Sequence, residues 1–177
     1  MKKMKMKVWI PVFAQVDLKN CQISIKDGGS GVLIVKVGEG NLTYTESRNM
    51  QYTLDRGKLD EVREGDEVPM DVKLDFTWEY LRGTSGSAVP SVEEALKNIG
   101  EAAAWVSSDA DACRPYAVDI EIVYTPSPFG CGDSETITLI DYRYEKLDHD
   151  LKAGTVSTSG KCNVTQATVV RSAPISI

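Results

Sequence analysis

The chain has 177 residues, a length that fits one domain and can bury a hydrophobic core without a disulfide or metal staple. Hydrophobic residues make up 42% and charged residues 26%, and no run approaches the roughly 18 apolar residues that span a bilayer; wholesale disorder and a helical membrane span are excluded. A formal net charge of −6, from 20 basic and 26 acidic residues, argues against a general nucleic-acid binder and leaves room for a surface past which nucleic acid slides without adhering.

The opening MKKMKMKVWIPVFAQ places lysines before an apolar stretch, but Pro11 interrupts it and no small-x-small cleavage site follows. It is expected to be a basic tail leading into a first strand. Cys21–Ile25 reads as a short strand. Residues 32–37, VLIVKV, lie between GGSG and GEG and read as a buried strand with sharp turns at both ends. From Leu42 to Leu54 the even positions are apolar at both ends and the odd positions are Thr43, Thr45, Ser47, Asn49, Gln51 and Thr53. From Val68 to Tyr80 the alternation is sharper, with Val68, Met70, Val72, Leu74, Phe76, Trp78 and Tyr80 on one face and Asp71, Lys73, Asp75, Thr77 and Glu79 on the other. Period two predicts two long strands, each roughly 43 Å at about 3.3 Å per residue. The charged connection 55–67, DRGKLDEVREGDE, is expected to project as the arm of a β-hairpin.

After the loop RGTSGSAVP, Ser91 and Glu94 form a capping box, and Val92, Ala95, Leu96 and Ile99 share a face; a packing helix is predicted over 91–100. Strands follow at 117–125, at Glu135–Tyr144 and, after a turn at Ser159–Lys161, at Asn163–Arg171. No internal repeat interrupts the single domain 1–177.

The motifs of catalysis are missing. The one histidine, His149, has no nucleophile elbow and reads as an exposed loop residue. The pairs Asp109/Asp111, Asp119/Glu121 and Asp148/Asp150 read as solvated surface. GGSG and GEG match no phosphate loop. Tyr44, Tyr52, Phe76, Trp78 and Tyr80 lie on the apolar faces, as core or interface rather than as a base-stacking platform. Neither an enzyme, a metal site nor a cofactor is expected.

None of Cys21, Cys113, Cys131 and Cys162 forms a C-x-x-C pair. Buried thiols are one reading; disulfides formed after release into an oxidising medium are the other. The predicted strand at 117–125 holds Cys113 and Cys131 roughly 27 Å apart, against the ~7 Å that a disulfide tolerates. Any disulfide of Cys113 or Cys131 is therefore expected to join different subunits, while Cys21 and Cys162 are candidates for a pairing between the first and last strand regions.

Over most of its length the chain resembles bacteriophage tail tube proteins. The order and spacing of four segments carry the resemblance: VFAQVDLKNCQISIKDGG, GNLTYTESRNMQYTLDRGKLDEVREGDEVPMDVKLDFTWEYL, SVEEALKNIG and DLKAGTVSTSGKCNVTQATVV. The resemblance implies a mostly-β subunit, a β-sandwich or barrel-like tail-tube fold with one short helix and a long hairpin arm. It implies assembly with itself into hexameric rings, stacked as a conduit for DNA ejection in the virion tail, after synthesis in the host cytoplasm. Sheath, baseplate and terminator proteins would be further partners, and DNA would pass without specific binding. The lumen would be lined by Thr43, Thr45, Ser47, Asn49, Gln51, Asp71, Lys73, Asp75 and Thr77. The arm, with Arg56, Lys58, Leu59, Glu61, Val62, Arg63 and Glu64, would contact a neighbouring subunit. Two rivals stand beside this reading: a tail terminator or baseplate hub component of related fold, and a monomeric β-sandwich binding module.

Overall fold

Alternating side chains build nearly all of this molecule. A computed structural model describes residues 18–38, 40–79, 89–125 and 134–172. The basic opening, Tyr80, the glycine/serine loop at 81–88 and Cys131 lie outside them. A 3-10 turn, Leu18–Asn20, leads into β1 (Cys21–Lys26), which pairs antiparallel with β2 (Val32–Val35). β3 (Leu42–Thr45), β4 (Met50–Asp55), β5 (Lys58–Glu64) and β6 (Met70–Thr77) follow, then the helix α1 (Val92–Lys97). β7 (Val118–Tyr124), β8 (Ser134–Asp150), β9 (Thr155–Cys162) and β10 (Thr168–Ser172) complete the chain. The fold is mostly β, as expected from the sequence, and its strands pair antiparallel throughout.

The main sheet runs β2-β1-β7-β8-β9-β6-β3, with β10 beside β8. β8 joins its two halves. Residues 135–142 of β8 pair with β7, and residues 142–150 pair with β9. The strand changes partner at irregularities, one opposite Val118–Ile120 and one between Tyr144 and Lys146. Asp141, in the left-handed region at φ 55°, marks the first. Bulges of this kind bend a strand and raise its twist. At the second, a Cβ on Gly160 would lie 2.0 Å from the Arg143 carbonyl oxygen, so only glycine lets the β9 backbone approach there. Among the described residues the sheet stays open: Thr77 N–H donates to the Lys36 carbonyl at 3.2 Å, but no ladder joins β2 to β6.

One core lies inside the bent sheet. It takes Ile23, Ile25, Leu33 and Ile120 from one half and Met70, Val72, Leu74, Phe76 and Val156 from the other. In β6 every second side chain is buried, and each such burial contributes roughly 1.5–3 kcal/mol. Helix α1 covers the core with Val92, Ala95 and Leu96. The predicted capping box forms: Glu94 N–H donates to Ser91 Oγ and Ser91 N–H to Glu94 Oε2, at 3.2 and 2.8 Å. The helix is shorter than its predicted 91–100 span because Asn98 turns left-handed, and its N–H caps the Glu94 carbonyl.

Several expectations are corrected. The predicted strand Leu42–Leu54 is two strands, β3 and β4, separated at residues 46–49. Its partner β6 begins only at Met70, because Pro69 offers no N–H to continue the ladder. For the same reason the second long strand is shorter at its start than the pattern implied. At its far end, Trp78 N–H leaves the ladder and donates to Gly154 at 2.8 Å. VLIVKV is not buried throughout, since Val32 and Ile34 face outward. The turn expected at Ser159–Lys161 lies inside β9, where Val156, Thr158, Gly160 and Cys162 alternate inward. The last strand starts at Thr168 rather than Asn163. β8 extends to Asp150, so His149 lies on a strand and not in a loop.

Candidate functional site

Among the described residues, no His, Cys, Asp or Glu side chains are grouped in a way that would hold a metal. No helix among them is long and apolar enough to cross a membrane. Two surfaces stand out instead: the β4–β5 hairpin and the outer face of β3, β6, β9 and the second half of β8.

The hairpin is the projecting arm, and it is longer than the sequence suggested. It starts at Met50, and residues 58–64 are a strand rather than a connection. Arg56 (φ 49°) and Gly57 (φ 79°) both lie in the left-handed region, which makes a two-residue primed turn between the paired Asp55 and Lys58. Every residue of both strands is exposed. The register pairs Tyr52 with Val62 and Leu54 with Leu59, and it places Met50 opposite Glu64. One face therefore carries Met50, Tyr52, Leu54, Leu59 and Val62, between 39% and 70% exposed. The other carries the pairs Gln51–Arg63, Thr53–Glu61 and Asp55–Lys58. Among the described residues this amphipathic two-stranded ribbon has no third strand. Such a ribbon is marginal in water on its own, and contiguous exposed apolar surface of this kind marks an interaction site.

Of the expected arm residues, Leu59 and Val62 lie on the apolar face. Lys58, Glu61 and Arg63 lie on the polar face, where Arg63 bonds Glu61 at 2.7 Å. Glu64 lies opposite Met50 and Arg56 is in the turn. The root of the arm is tied to the body: Ala167 N–H donates to Glu46 Oε1 at 2.8 Å and Gly65 N–H to the Asn49 carbonyl at 2.7 Å.

The outer sheet face collects six of the nine expected lumen residues. Thr43 pairs with Lys73 and Thr45 with Asp71, and β6 continues this face through Asp75 and Thr77. β9 adds Thr155, Ser157, Ser159 and Lys161, and β8 adds Arg143, Lys146, Asp148 and Asp150. No apolar side chain interrupts these positions. Four aspartates (Asp71, Asp75, Asp148, Asp150) stand among three lysines and an arginine (Lys73, Lys146, Lys161, Arg143), with Lys161–Asp71 and Lys146–Asp148 ion pairs at 2.6 Å each. The Asp71 carboxylate accepting from Lys161 holds that ammonium pKa above its usual value. The remaining three residues fall elsewhere. Ser47 and Asn49 occupy the break between β3 and β4, and Gln51 lies on the hairpin. The break at Pro69 thus divides one expected surface into two.

The other singled-out residues are structural. Asp109 was read as solvated, yet its side chain is only 6% exposed and accepts from Arg143 at 2.6 Å and Arg114 at 3.3 Å. A backbone bond from Asp111 N–H, together with Arg143 and Arg114, lowers its carboxyl to about 2. Arg143 also donates to the Pro115 carbonyl at 2.9 Å, so this cluster fastens the loop before β7 to β8. Glu121 pairs with Lys26 at 2.7 Å, and Asp119 accepts from Asp141 N–H at 2.9 Å. Burial pushes the Asp119 carboxyl up. His149 meets Glu93 of α1 at 3.3 Å and the Trp78 ring edge-on at 5.2 Å. Phe76 is in the core, Tyr44 and Trp78 pack against it, and Tyr52 is on the hairpin, so these aromatics form no common platform.

The cysteines divide in the same way. Cys162 is a buried free thiol on β9, and burial drives its pKa up to about 12. Cys21, on β1, is three strands away along the sheet, roughly 14 Å at about 4.8 Å per strand, which no disulfide spans. The possible Cys21–Cys162 pairing is therefore not made. Cys113 is exposed rather than buried, and its expected partner Cys131 lies outside the described residues.

No protein-family model matches the chain, and no curated protein is detectably similar to it. One solved chain that resembles it belongs to the anti-feeding prophage baseplate, determined by electron cryo-microscopy with six-fold symmetry. The two chains are 6% identical, the match covers 92% of this chain and 97% of that one, and the TM-score is 0.41. A TM-score this low does not establish a common fold.

Proposed function

We propose that this chain is a structural subunit of a bacteriophage tail tube, assembling into stacked hexameric rings through which DNA is ejected. The observation that carries the reading is the fully exposed hairpin, whose one face presents five large apolar side chains to solvent. Covering them would contribute roughly 1.5–3 kcal/mol for each side chain fully buried. A subunit built to meet other subunits accounts for that surface. The outer sheet face supports the conduit. With hydroxyls and balanced charge it offers DNA neither net attraction nor apolar adhesion, and phosphate binding scales with the net number of cations presented.

On this reading Thr43, Thr45, Asp71, Lys73, Asp75 and Thr77 face the lumen, and the hairpin contacts a neighbouring subunit. The chain has no catalytic role and takes no cofactor. It is made in the host cytoplasm and resides in the virion tail, in contact with terminator, baseplate and, in a contractile tail, sheath proteins. Negative-stain electron microscopy of the purified chain tests this. Hollow tubes of variable length built from six-fold rings are expected. Single rings would point to a terminator or baseplate component, and a persistent monomer to a binding module; either outcome overturns the tube.

A further inference from the structure

The loop between β1 and β2 meets the segment before β7 at very close range. A Cβ on Gly28 would lie 2.1 Å from the Ser107 carbonyl oxygen, and one on Gly31 would lie 2.8 Å from the Trp105 indole. Position 28 therefore has to be glycine, and this gives the sequence its one Asp-Gly step, Asp27–Gly28. Both residues of the step are held. Asp27 Oδ1 accepts from Gly29 N–H at 2.9 Å and from Gly31 N–H at 2.7 Å, as an aspartate closing its own turn does. Asp27 Oδ2 accepts from Val106 N–H at 3.1 Å. Gly28 N–H donates to the Val106 carbonyl at 2.9 Å, and Asp27 N–H to the Gly31 carbonyl at 3.1 Å.

An Asp-Gly step is chemically reactive because glycine has no side chain to shield its amide. The Gly28 nitrogen can attack Asp27 Cγ; the N–H proton and a carboxyl oxygen leave as water, and a succinimide ring closes. Water then reopens the ring. Attack at Cγ restores aspartate. Attack at the Asp27 backbone carbonyl leaves isoaspartate, with the chain running through Cγ and a carboxylate on the α-carbon. One water is lost and one gained, so no other reactant is needed. The docked loop opposes ring closure twice. The attacking N–H is engaged by the Val106 carbonyl, and three N–H donors hold the carboxylate oxygens toward residues 29, 31 and 106.

We propose that Asp27–Gly28 is a latent site of isoaspartate formation, silent while the loop is docked on residues 105–107 and converted when the loop opens. The site is independent of how the subunit assembles. Conversion is one-way for the loop. It inserts a backbone carbon between Asp27 and Gly28 and moves the carboxylate, so the three donors no longer converge on it. The modification thus records loop opening and prevents the loop from docking again.

Ageing the full chain at neutral pH, folded and denatured in urea, tests this. Peptide mapping with a protease that cleaves before aspartate but not before isoaspartate reads the conversion at each position. In the denatured chain, isoaspartate is expected at residue 27 ahead of every other aspartate. The folded wild type is expected to convert there at least about tenfold more slowly, at a rate set by local opening. Val106→Pro deletes the N–H that Asp27 Oδ2 accepts and is expected to convert faster than the wild type while still folded by circular dichroism. Gly31→Ala, which pushes the loop off Trp105, replaces it if it does not fold. Conversion spread evenly over the aspartates of the denatured chain overturns the site. Equal rates in folded and denatured wild type overturn the protection, and a folded variant as slow as the wild type overturns the docked loop as its cause.

Discussion

The main sheet and the β4–β5 hairpin are built from the same period-two alternation, yet only one of them has an interior. In β6 the alternating side chains Met70, Val72, Leu74 and Phe76 are buried under the bent sheet and α1. In β4 and β5 the equivalent side chains Tyr52, Leu54, Leu59 and Val62 meet solvent. The alternation specifies a face; it does not specify what covers that face. In the sheet the cover is the chain itself, and in the hairpin the described residues supply none.

That difference should appear directly in stability. Phe76→Ala removes a buried aromatic from the core and should cost about 3–5 kcal/mol in urea unfolding of the dispersed subunit. Tyr52→Ala, the corresponding change in the hairpin, should alter the same measurement by less than about 0.5 kcal/mol, as surface substitutions do. Comparable losses at the two sites would show that the hairpin is buried within its own subunit.

A smaller effect lies at the clamp between the loop before β7 and β8. Backbone and arginine partners lower the Asp109 carboxyl to about 2 from an ordinary value of 3.8. A depressed acid stabilises the fold fully above its unfolded value and loses that contribution as pH falls through its folded one. The clamp should therefore be intact above about pH 4 and fade between 3.8 and about 2. Carboxyl NMR titration of Asp109 should move upward in an Arg143→Gln variant, and an unchanged titration would remove Arg143 as a cause.

Much of the fold was legible in the sequence. The capping box at Ser91 and Glu94 marked the helix, and the alternation from Val118 to Tyr124 marked β7 within one residue of each end of the expected 117–125, because local signals of these kinds need no distant partner. The failures have common causes. Leu42–Leu54 read as one strand because alternation continues across residues 46–49, whereas the ladder depends on a partner that Pro69 ends. Ser159–Lys161 read as a turn because serine and glycine suit turns, but Gly160 is there to admit the β8 backbone. Asp109 read as solvated because its partner Arg143 lies far along the chain.

The candidate surfaces were legible in part. The polar alternation of β6 and the amphipathic hairpin strand were both visible as patterns. The outward face of Val32 and Ile34 was not, because VLIVKV contains no polar residue among its first four to show which side meets water. An isolated apolar run cannot distinguish a strand covered on both faces from one covered on a single face.

The central claim is that a second copy covers the hairpin, and hydrogen exchange on assembled wild-type protein tests it most directly. Amides of β4 and β5 should exchange at least about tenfold more slowly in the assembly than in dispersed subunits, while those of β6 and β9 are slow in both, because an uncovered two-stranded ribbon opens locally with little cost. Hairpin amides that exchange equally fast in the two states would contradict the account.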